Sequence, residues 1–170
     1  MQKIASLEFT EVHVPPVLAA QLPGRSGPDP ASIGAAMCTA FASLMDFVQH
    51  HGLTVNGQPR AIYTAYGPEG VGFTVALPVA LGPDTARTED PSFRVEDLPS
   101  CKALRFTHQG PYPELAQTYN RITEFMKEKG WMQSEADWIC YMPMWEEYLN
   151  DPETTPPAEL RAYIYLPVPE

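Results

Sequence analysis

The sequence has little positive charge and little cysteine. Eleven lysines and arginines stand against 21 aspartates and glutamates, so the formal net charge of the 170 residues is −10. A surface of this sign repels phosphate backbones and anionic membranes, and we expect no direct binding to nucleic acid. The three cysteines are widely spaced among apolar residues, which predicts buried, reduced thiols rather than disulfides or a CxxC metal site: Cys38, Cys101 and Cys140.

Several motifs that carry chemistry are also missing. The sequence has no glycine-rich phosphate loop, no nucleophile elbow and no HxxxH spacing among its four histidines, so we expect neither a cofactor nor a metal. The first twenty residues contain no apolar run long enough for a signal peptide or a membrane span. These absences predict a cytoplasmic protein without a membrane segment.

What is present is enough apolar material for one core. Hydrophobic residues make up 44% of the chain and aromatic residues 11%, which suits a single domain over residues 1–170 and is too little for two ordinary domains.

Within that domain the chain repeats itself. An extended apolar run broken by proline occurs twice at a shift of 83 residues, a glycine followed by a large apolar residue at a shift of 78, and a Leu-Pro-Val ending at a shift of 89. The matching segments are Val12–Ala19 with Val95–Leu104, Gly52-Leu53 with Gly130-Trp131, and Leu77-Pro78-Val79 with Leu166-Pro167-Val168. We therefore predict two related halves, about 8–80 and about 92–168, joined by a solvated linker at about 81–91.

Each half contains one helical segment. In the first half, Asp29 and Pro30 provide a cap and a first helical residue, and apolar residues recur at helical spacing until His50-His51-Gly52. The counterpart begins around Pro113-Glu114-Leu115 and stops at Gly130. Strands are predicted after each helix, at Arg60–Tyr63 and at Trp138–Tyr141.

This order predicts an α+β fold of two β-α-β-β units related by a pseudo-twofold axis. The two main helices would pack on one side of antiparallel sheets, and the opposite, concave faces would meet across a central cleft. The second half has eleven more residues than the first between its second and last matching segments, and we place this gain within Met142–Pro157. We look for function there.

Two motifs of the second half resemble those of GyrI-like domains. They are the passage Trp145-Glu146-Glu147-Tyr148-Leu149-Asn150-Asp151-Pro152 with the segments after it, and the turn His108-Gln109-Gly110-Pro111-Tyr112. The resemblance implies the duplicated fold found in the ligand domains of AraC-type and MerR-type multidrug-responsive regulators, with an aromatic pocket on the dyad that holds a glutamate. Such regulators carry a helix-turn-helix region, for which we expect no room here, so we expect a stand-alone form.

The resemblance selects Glu146 as the pocket carboxylate. In an extended segment alternate residues share a face, so Glu146 should lie with Tyr148 and Met144, and Glu147 with Trp145 on the other side. The alternative is that Glu146 is an ordinary solvated strand residue. Tyr112 follows the Gly-Pro turn, where its phenol would donate to a ligand or to a leaving oxygen, or would lie on the surface.

Other aromatic residues are candidate pocket contacts, although aromatics on strands and helices are often core packing. Tyr63 and Tyr141 occupy matching positions of the two halves and should both lie in the cleft or both in the core. The remaining candidates for ligand contact form one weaker list: Trp138, Trp145, Tyr66, Phe73, Tyr119 and Tyr163.

Three functions fit this reading. The first is binding of a small, apolar or cationic organic molecule by Glu146 and aromatic rings. The second, implied by the resemblance, is hydrolysis of electrophilic cyclopropane-bearing compounds, in which Glu146 activates water and Tyr112 or Tyr148 assists. The third is interaction with a basic protein partner, such as a regulator or a gyrase-like target.

Overall fold

The computed structural model describes residues 8–80 and 92–168, which form two units. The first unit spans Val14–Cys101, and the second combines the residues up to His13 with those from Lys102 onward. Each unit thus joins one half of the sequence to the opening strand of the other half. The predicted linker at 81–91 lies outside the described residues, and the single-domain assignment stays a prediction.

The first unit contains an antiparallel sheet. Its strands are β2 (Val17–Ser26), β3 (Thr54–Val55), β4 (Arg60–Gly67), β5 (Gly70–Ala80) and β6 (Arg94–Leu98). The order β4-β5-β2-β6 places the long strand β5 between β4 and β2, while β3 pairs with the end of β5. A bulge interrupts the pairing of β4 with β5 between Tyr63 and Ala65.

The helix of the first unit, α1 (Pro30–His50), begins as its sequence predicts. The Asp29 carboxylate accepts a hydrogen bond from the Ser32 amide at 2.9 Å and from the Ser32 hydroxyl at 2.7 Å, and proline occupies the first turn. The buried residues form one stripe that packs against β2 and β5: Met37, Ala40, Leu44, Phe47 and Val48. By length and composition α1 is also apolar enough to cross a membrane, so the expectation of no membrane segment stays a prediction.

The second unit places one helix on an antiparallel sheet. Its strands are β1 (Phe9–Val14), β7 (Cys101–Gln109), β8 (Met144–Tyr148) and β9 (Arg161–Pro167), in the order β1-β7-β9-β8. Its helices are α2 (Leu115–Glu128) and the short 3₁₀ segments Tyr112–Glu114, Glu135–Tyr141 and Pro157–Glu159. Alternate residues of β7 and β9 face α2 and build the core with it: Leu104, Phe106, Ile122, Met126, Ile164 and Leu166.

The two helices end in the same way. Gly52 and Gly130 adopt φ of 68° and 75°, and the amide after each glycine returns to a helix carbonyl five residues earlier, from Leu53 to Val48 and from Trp131 to Met126. Glycine takes such a left-handed conformation without a Cβ clash. The predicted α+β class with two main helices on antiparallel sheets is confirmed, whereas a twofold relation between the halves stays a prediction.

Two local predictions are wrong. Trp138–Tyr141 belongs to a 3₁₀ segment rather than a strand, because Ser134 and Asp137 form a capping box that starts a helical turn. The cysteines are reduced but are not all buried, since Cys38 and Cys140 are exposed and Cys101 is partly buried. Cys38 lies outside the buried stripe of α1, where helical periodicity turns its side chain outward.

Candidate functional site

The side chain of Glu146 is buried beneath α2. Glu146 lies on β8 opposite Ile164 of β9, which belongs to the core that α2 covers. Only 2% of the residue is exposed. A buried carboxylate needs donors or a cation to offset the hydration it loses. The sequence placed the pocket on the helix-free side of the sheets, but in the structure the carboxylate faces the helix.

Two phenols donate to this carboxylate. The Tyr148 hydroxyl lies 2.6 Å from Oε1, and the Tyr119 hydroxyl lies 2.5 Å from Oε2. Tyr148 is two residues further along β8 and therefore shares the face of Glu146, whereas Tyr119 reaches down from α2. Hydrogen bonds to an ionised acceptor are short and about twice as strong as neutral ones. One strand and one helix thus converge on a single carboxylate.

Tyr119 is directed at the sheet by the periodicity of α2. Ile122 and Met126 follow it at spacings of three and seven residues, and both are fully buried in the core. The same face carries Tyr119 against that core. From its sequence position Tyr119 is only a weak candidate, because a helix residue that meets a strand residue is brought there by packing alone.

The turn before α2 is built around His108, which is 3% exposed. Its Nε2 lies 3.2 Å from the carbonyl oxygens of Gly110 and Pro111, and its Nδ1 lies 2.6 Å from the Thr118 hydroxyl. The carbonyls place the ring proton on Nε2 and leave Nδ1 to accept from Thr118. The histidine of the His-x-Gly-Pro-Tyr turn therefore fixes where α2 begins, a role that the motif alone does not indicate.

Tyr112 stabilises the loop that follows β8 through hydrogen bonds. Its hydroxyl donates to the carbonyl of Asn150 at 2.9 Å and to that of Arg161 at 3.1 Å, and the Asn150 side chain accepts from the Arg161 amide at 2.8 Å. Burial raises the pKa of the Tyr112 phenol; the bond to Asn150 lowers it and the Asp151 charge raises it. The ring also contacts that of Tyr148, at 5.2 Å between centroids. The Tyr112 hydroxyl thus donates to the backbone on both sides of this loop.

Trp138 packs beside Tyr119. Its ring stands edge-on to the Tyr119 ring at 5.8 Å, and its Nε1–H donates to the Thr123 hydroxyl at 3.2 Å. Tyr141, at the end of the same 3₁₀ segment, is 8% exposed within the core, and its hydroxyl donates to the Trp131 carbonyl. Burial, then the neighbouring Cys140 and Asp137, raises the pKa of the Tyr141 phenol.

Trp145 and Tyr163 lie on the other face of the second sheet. Trp145 stacks on Tyr165 at 4.8 Å, and the Arg105 guanidinium lies 4.3 Å from the centre of the Tyr163 ring. Glu147 pairs with Tyr163 across the strands and shares this face. The structure therefore separates Trp145 and Tyr163 from the carboxylate, while it gathers Tyr148 and Trp138 on the Glu146 side.

Tyr63 and Phe73 belong to the first unit, where they face each other across β4 and β5. Tyr63 lies on a strand and Tyr141 on a 3₁₀ segment, so the two do not occupy equivalent elements. Phe73 borders an open depression of about 300 Å³, and its ring lies over Gly24, where a Cβ would stand 2.6 Å from it. The lining of the depression is Pro23, Gly24, Arg25, Thr64, Ala65, Gly72, Phe73 and Thr74.

Across residues 8–80 and 92–168, no group of three or more histidine, cysteine, aspartate or glutamate side chains is arranged to hold a metal ion.

The chain belongs to the GyrI-like family. A profile of the GyrI-like small molecule binding domain matches residues 8–169. This match defines the protein as a member of a small-molecule binding family. No curated protein matches the sequence.

Solved structures share the fold at low sequence identity. The crystal structure of the EcmrR C-terminal domain has a TM-score of 0.73 and 15% identity, and the match covers 95% of this chain and 96% of that one. EcmrR in its DNA complex has a TM-score of 0.71 and 16% identity, and the match covers 96% of this chain and 58% of that one. SAV2435 bound to tetraphenylphosphonium has a TM-score of 0.62 and 13% identity, with 95% and 93% covered.

Proposed function

We propose that the protein binds a small, apolar organic cation at Glu146. The observation that carries this proposal is the carboxylate itself, which is 2% exposed and accepts hydrogen bonds from Tyr119 and Tyr148. Burying a charged group is unfavourable unless donors or a cation offset the hydration that it loses. A carboxylate set among aromatic rings provides both the charge and the apolar contacts that an organic cation requires.

The rings around Glu146 support this choice of ligand. The Tyr112 ring contacts the Tyr148 ring, and the Trp138 ring contacts the Tyr119 ring. A cation over an aromatic face gains about 0.5–2 kcal/mol per ring. SAV2435, a protein with the same fold, was solved with tetraphenylphosphonium bound. This compound is therefore a suitable first probe.

Binding must open the site. Because so little of Glu146 is exposed, a ligand that reaches the carboxylate first displaces a neighbouring side chain. We expect Tyr148 to be the group that moves, so that Oε1 is uncovered while the Tyr119 hydroxyl stays on Oε2. The Tyr148 hydroxyl would then donate to solvent instead of the carboxylate as the cation arrives.

The test compares two adjacent glutamates. Glu146→Gln removes the buried charge, while Glu147→Gln removes a charge of the same kind on the other face of β8. We expect Glu146→Gln to weaken tetraphenylphosphonium binding about 10- to 100-fold, as for the loss of a charged contact, and Glu147→Gln to change it little. Titration calorimetry measures both, with neutral triphenylphosphine oxide as the uncharged ligand. Equal losses in the two variants would contradict the proposal.

A second candidate is a hydrolase. The observation that favours it is the phenol of Tyr148, which lies 2.6 Å from Glu146 Oε1, so that a base and a proton donor stand side by side. Glu146 would take a proton from water as the water oxygen adds to an electrophilic carbon, and the phenol would return a proton to the carbon whose bond breaks. Tyr148 fits this role better than Tyr112, whose hydroxyl donates to the backbone carbonyls of Asn150 and Arg161.

The hydrolase is tested by turnover. The wild type and Glu146→Gln would be incubated with a cyclopropane-bearing electrophile, and the hydrated product would be followed by mass spectrometry. Turnover that disappears in Glu146→Gln supports the enzyme. Binding of the electrophile without any product in the wild type would exclude it.

A further inference from the structure

We propose that Trp138 is a positioning residue that holds the Tyr119 phenol on Glu146 and thereby sets the preference of the site for cations. The proposal rests on the proposed function, since the preference concerns the same ligand. Trp138 lies on the 3₁₀ segment Glu135–Tyr141, and it acts on Glu146 indirectly, through Tyr119 of α2.

Two contacts join Trp138 to one turn of α2. The Trp138 Nε1–H donates to the Thr123 hydroxyl at 3.2 Å, and that hydroxyl donates to the Tyr119 carbonyl at 2.9 Å. The Trp138 ring meets the Tyr119 ring edge-on at 5.8 Å. The Trp138 indole therefore restrains both the backbone and the side chain of Tyr119. Because Thr123 is 7% exposed, its hydroxyl is shielded from water that would compete for these bonds.

Hydrogen bonds near both ends of the Glu135–Tyr141 segment hold it in place independently of α2. The Asp137 carboxylate accepts from the amides of Gln133 and Ser134 at 2.7 and 3.3 Å, and the Tyr141 hydroxyl donates to the Trp131 carbonyl at 2.9 Å. The outward residue between these anchors, Ile139, is 76% exposed. These bonds fix the backbone from which the Trp138 side chain reaches α2. A residue that restrains another side chain needs such a fixed position.

The restraint on Tyr119 affects how strongly the site prefers a cation to a neutral molecule. The Tyr119 hydroxyl offsets part of the cost of a buried negative charge at Glu146. A phenol that is free to rotate stabilises the ionised carboxylate less. The electrostatic attraction of the site for a cation then falls, while its apolar contacts remain. Loss of the restraint should lower the affinity for a cation more than the affinity for a neutral molecule of similar shape. General loosening of the fold would weaken both alike.

The experiment uses two small changes and two matched controls in the full chain. Trp138→Phe keeps a ring beside Tyr119 and removes the N–H donor, and Thr123→Val keeps the shape of the side chain and removes the hydroxyl. Trp131→Phe is the tryptophan control, and Thr39→Val is the threonine control, because Thr39 makes the same bond to a helix carbonyl four residues back, at 3.1 Å, on α1.

The readout is the affinity for tetraphenylphosphonium divided by that for triphenylphosphine oxide. We expect Trp138→Phe and Thr123→Val to lower this ratio about three- to tenfold, toward the value of Tyr119→Phe, and the controls to leave it unchanged. A ratio that falls in Tyr119→Phe but not in Trp138→Phe or Thr123→Val overturns the positioning role and leaves the proposed function standing.

A ligand-free crystal structure of Trp138→Ala separates the two proposals further. The positioning role predicts that the Tyr119 hydroxyl leaves Glu146 in that variant. A Tyr119 hydroxyl that still lies within hydrogen-bond distance of Glu146 contradicts the role, whatever the ligand. Failure of the wild type to bind tetraphenylphosphonium more tightly than the neutral compound would instead overturn the proposed function, and the cation preference with it.

Discussion

Cys101 should be the slowest of the three thiols to react. Burial raises the pKa of its thiol, and the nearby Arg60 lowers it by less, so fewer Cys101 thiolates exist at a given pH. Cys38 and Cys140 are exposed. At about pH 8 we expect iodoacetamide to alkylate these two first, as followed by mass spectrometry of the peptides. In denaturant the three rates should converge, and a folded protein alkylated first at Cys101 would contradict the assignment.

At the same scale, part of the Glu146 site could be predicted from the sequence. Strand alternation separates Glu146 from Glu147 and pairs it with Tyr148, and the structure has the same arrangement because the strand pleat depends on backbone geometry alone. The alternation does not say which face a helix covers. Tyr119 therefore carried no local signal of its contact with Glu146, and neither did the bond between Trp138 and Thr123.

At the scale of elements, the start of α2 depends on His108. Replacing it with phenylalanine keeps a ring of similar size but leaves the Thr118 hydroxyl and the carbonyls of Gly110 and Pro111 without their buried partner. We expect the free energy of unfolding to fall by about 1–3 kcal/mol. Urea denaturation measures it, and His13→Phe on the exposed part of β1 is the control. An equal loss in both variants would assign the effect to the added phenyl ring.

The start of α1 gives a prediction that depends on pH. The Ser32 hydroxyl, followed by the Ser32 amide, lowers the pKa of Asp29. A carboxyl with a lowered pKa stabilises the fold above its ordinary pKa and loses that contribution as the pH falls through the lowered value. We therefore expect Asp29→Ala to lower the urea midpoint at about pH 7, with a smaller difference from the wild type at about pH 2.5.

Asparagine separates the two contributions of Asp29, because it caps a helix without a titrating group. Asp29→Asn should retain most of the midpoint at both pH values. An Asp29→Ala difference that is as large in acid as at neutral pH would show that the charge of the cap is not involved.

The elements show where sequence patterns succeed and where they fail. The ends of both helices were predictable because Asp29-Pro30, Gly52 and Gly130 act through their own backbone and side chains. The strand predicted at Trp138–Tyr141 is wrong because it rests on the strand preference of Trp, Ile and Tyr, whereas Ser134 and Asp137 favour a helical turn. The capping box determines the conformation of this segment, because it satisfies the amides of Gln133 and Ser134.

At the scale of the whole chain, the repeat predicted the α+β class, but it did not predict how the strands are distributed. β1 is grouped with the second half of the sequence, and β6 pairs with β2 of the first half. A repeat in the sequence reports local similarity, while the pairing of strands far apart in the chain depends on long-range contacts. The two prolines at positions 15 and 16 interrupt the first extended run, and the chain then continues as β2.

The net charge predicts how the molecule behaves toward nucleic acid. With a formal charge of −10, the chain repels a phosphate backbone at long range, and lowering the salt concentration lengthens the range of that repulsion. A protein that binds DNA through cations does the opposite, because its affinity rises steeply as salt falls. We expect no change in the fluorescence anisotropy of a labelled duplex at about 150 mM salt, and none at about 20 mM. Binding that appears only at the lower salt would show that a local cationic surface outweighs the net charge, and replacement of the exposed Arg25 beside the open depression of the first unit would then be the first variant to measure.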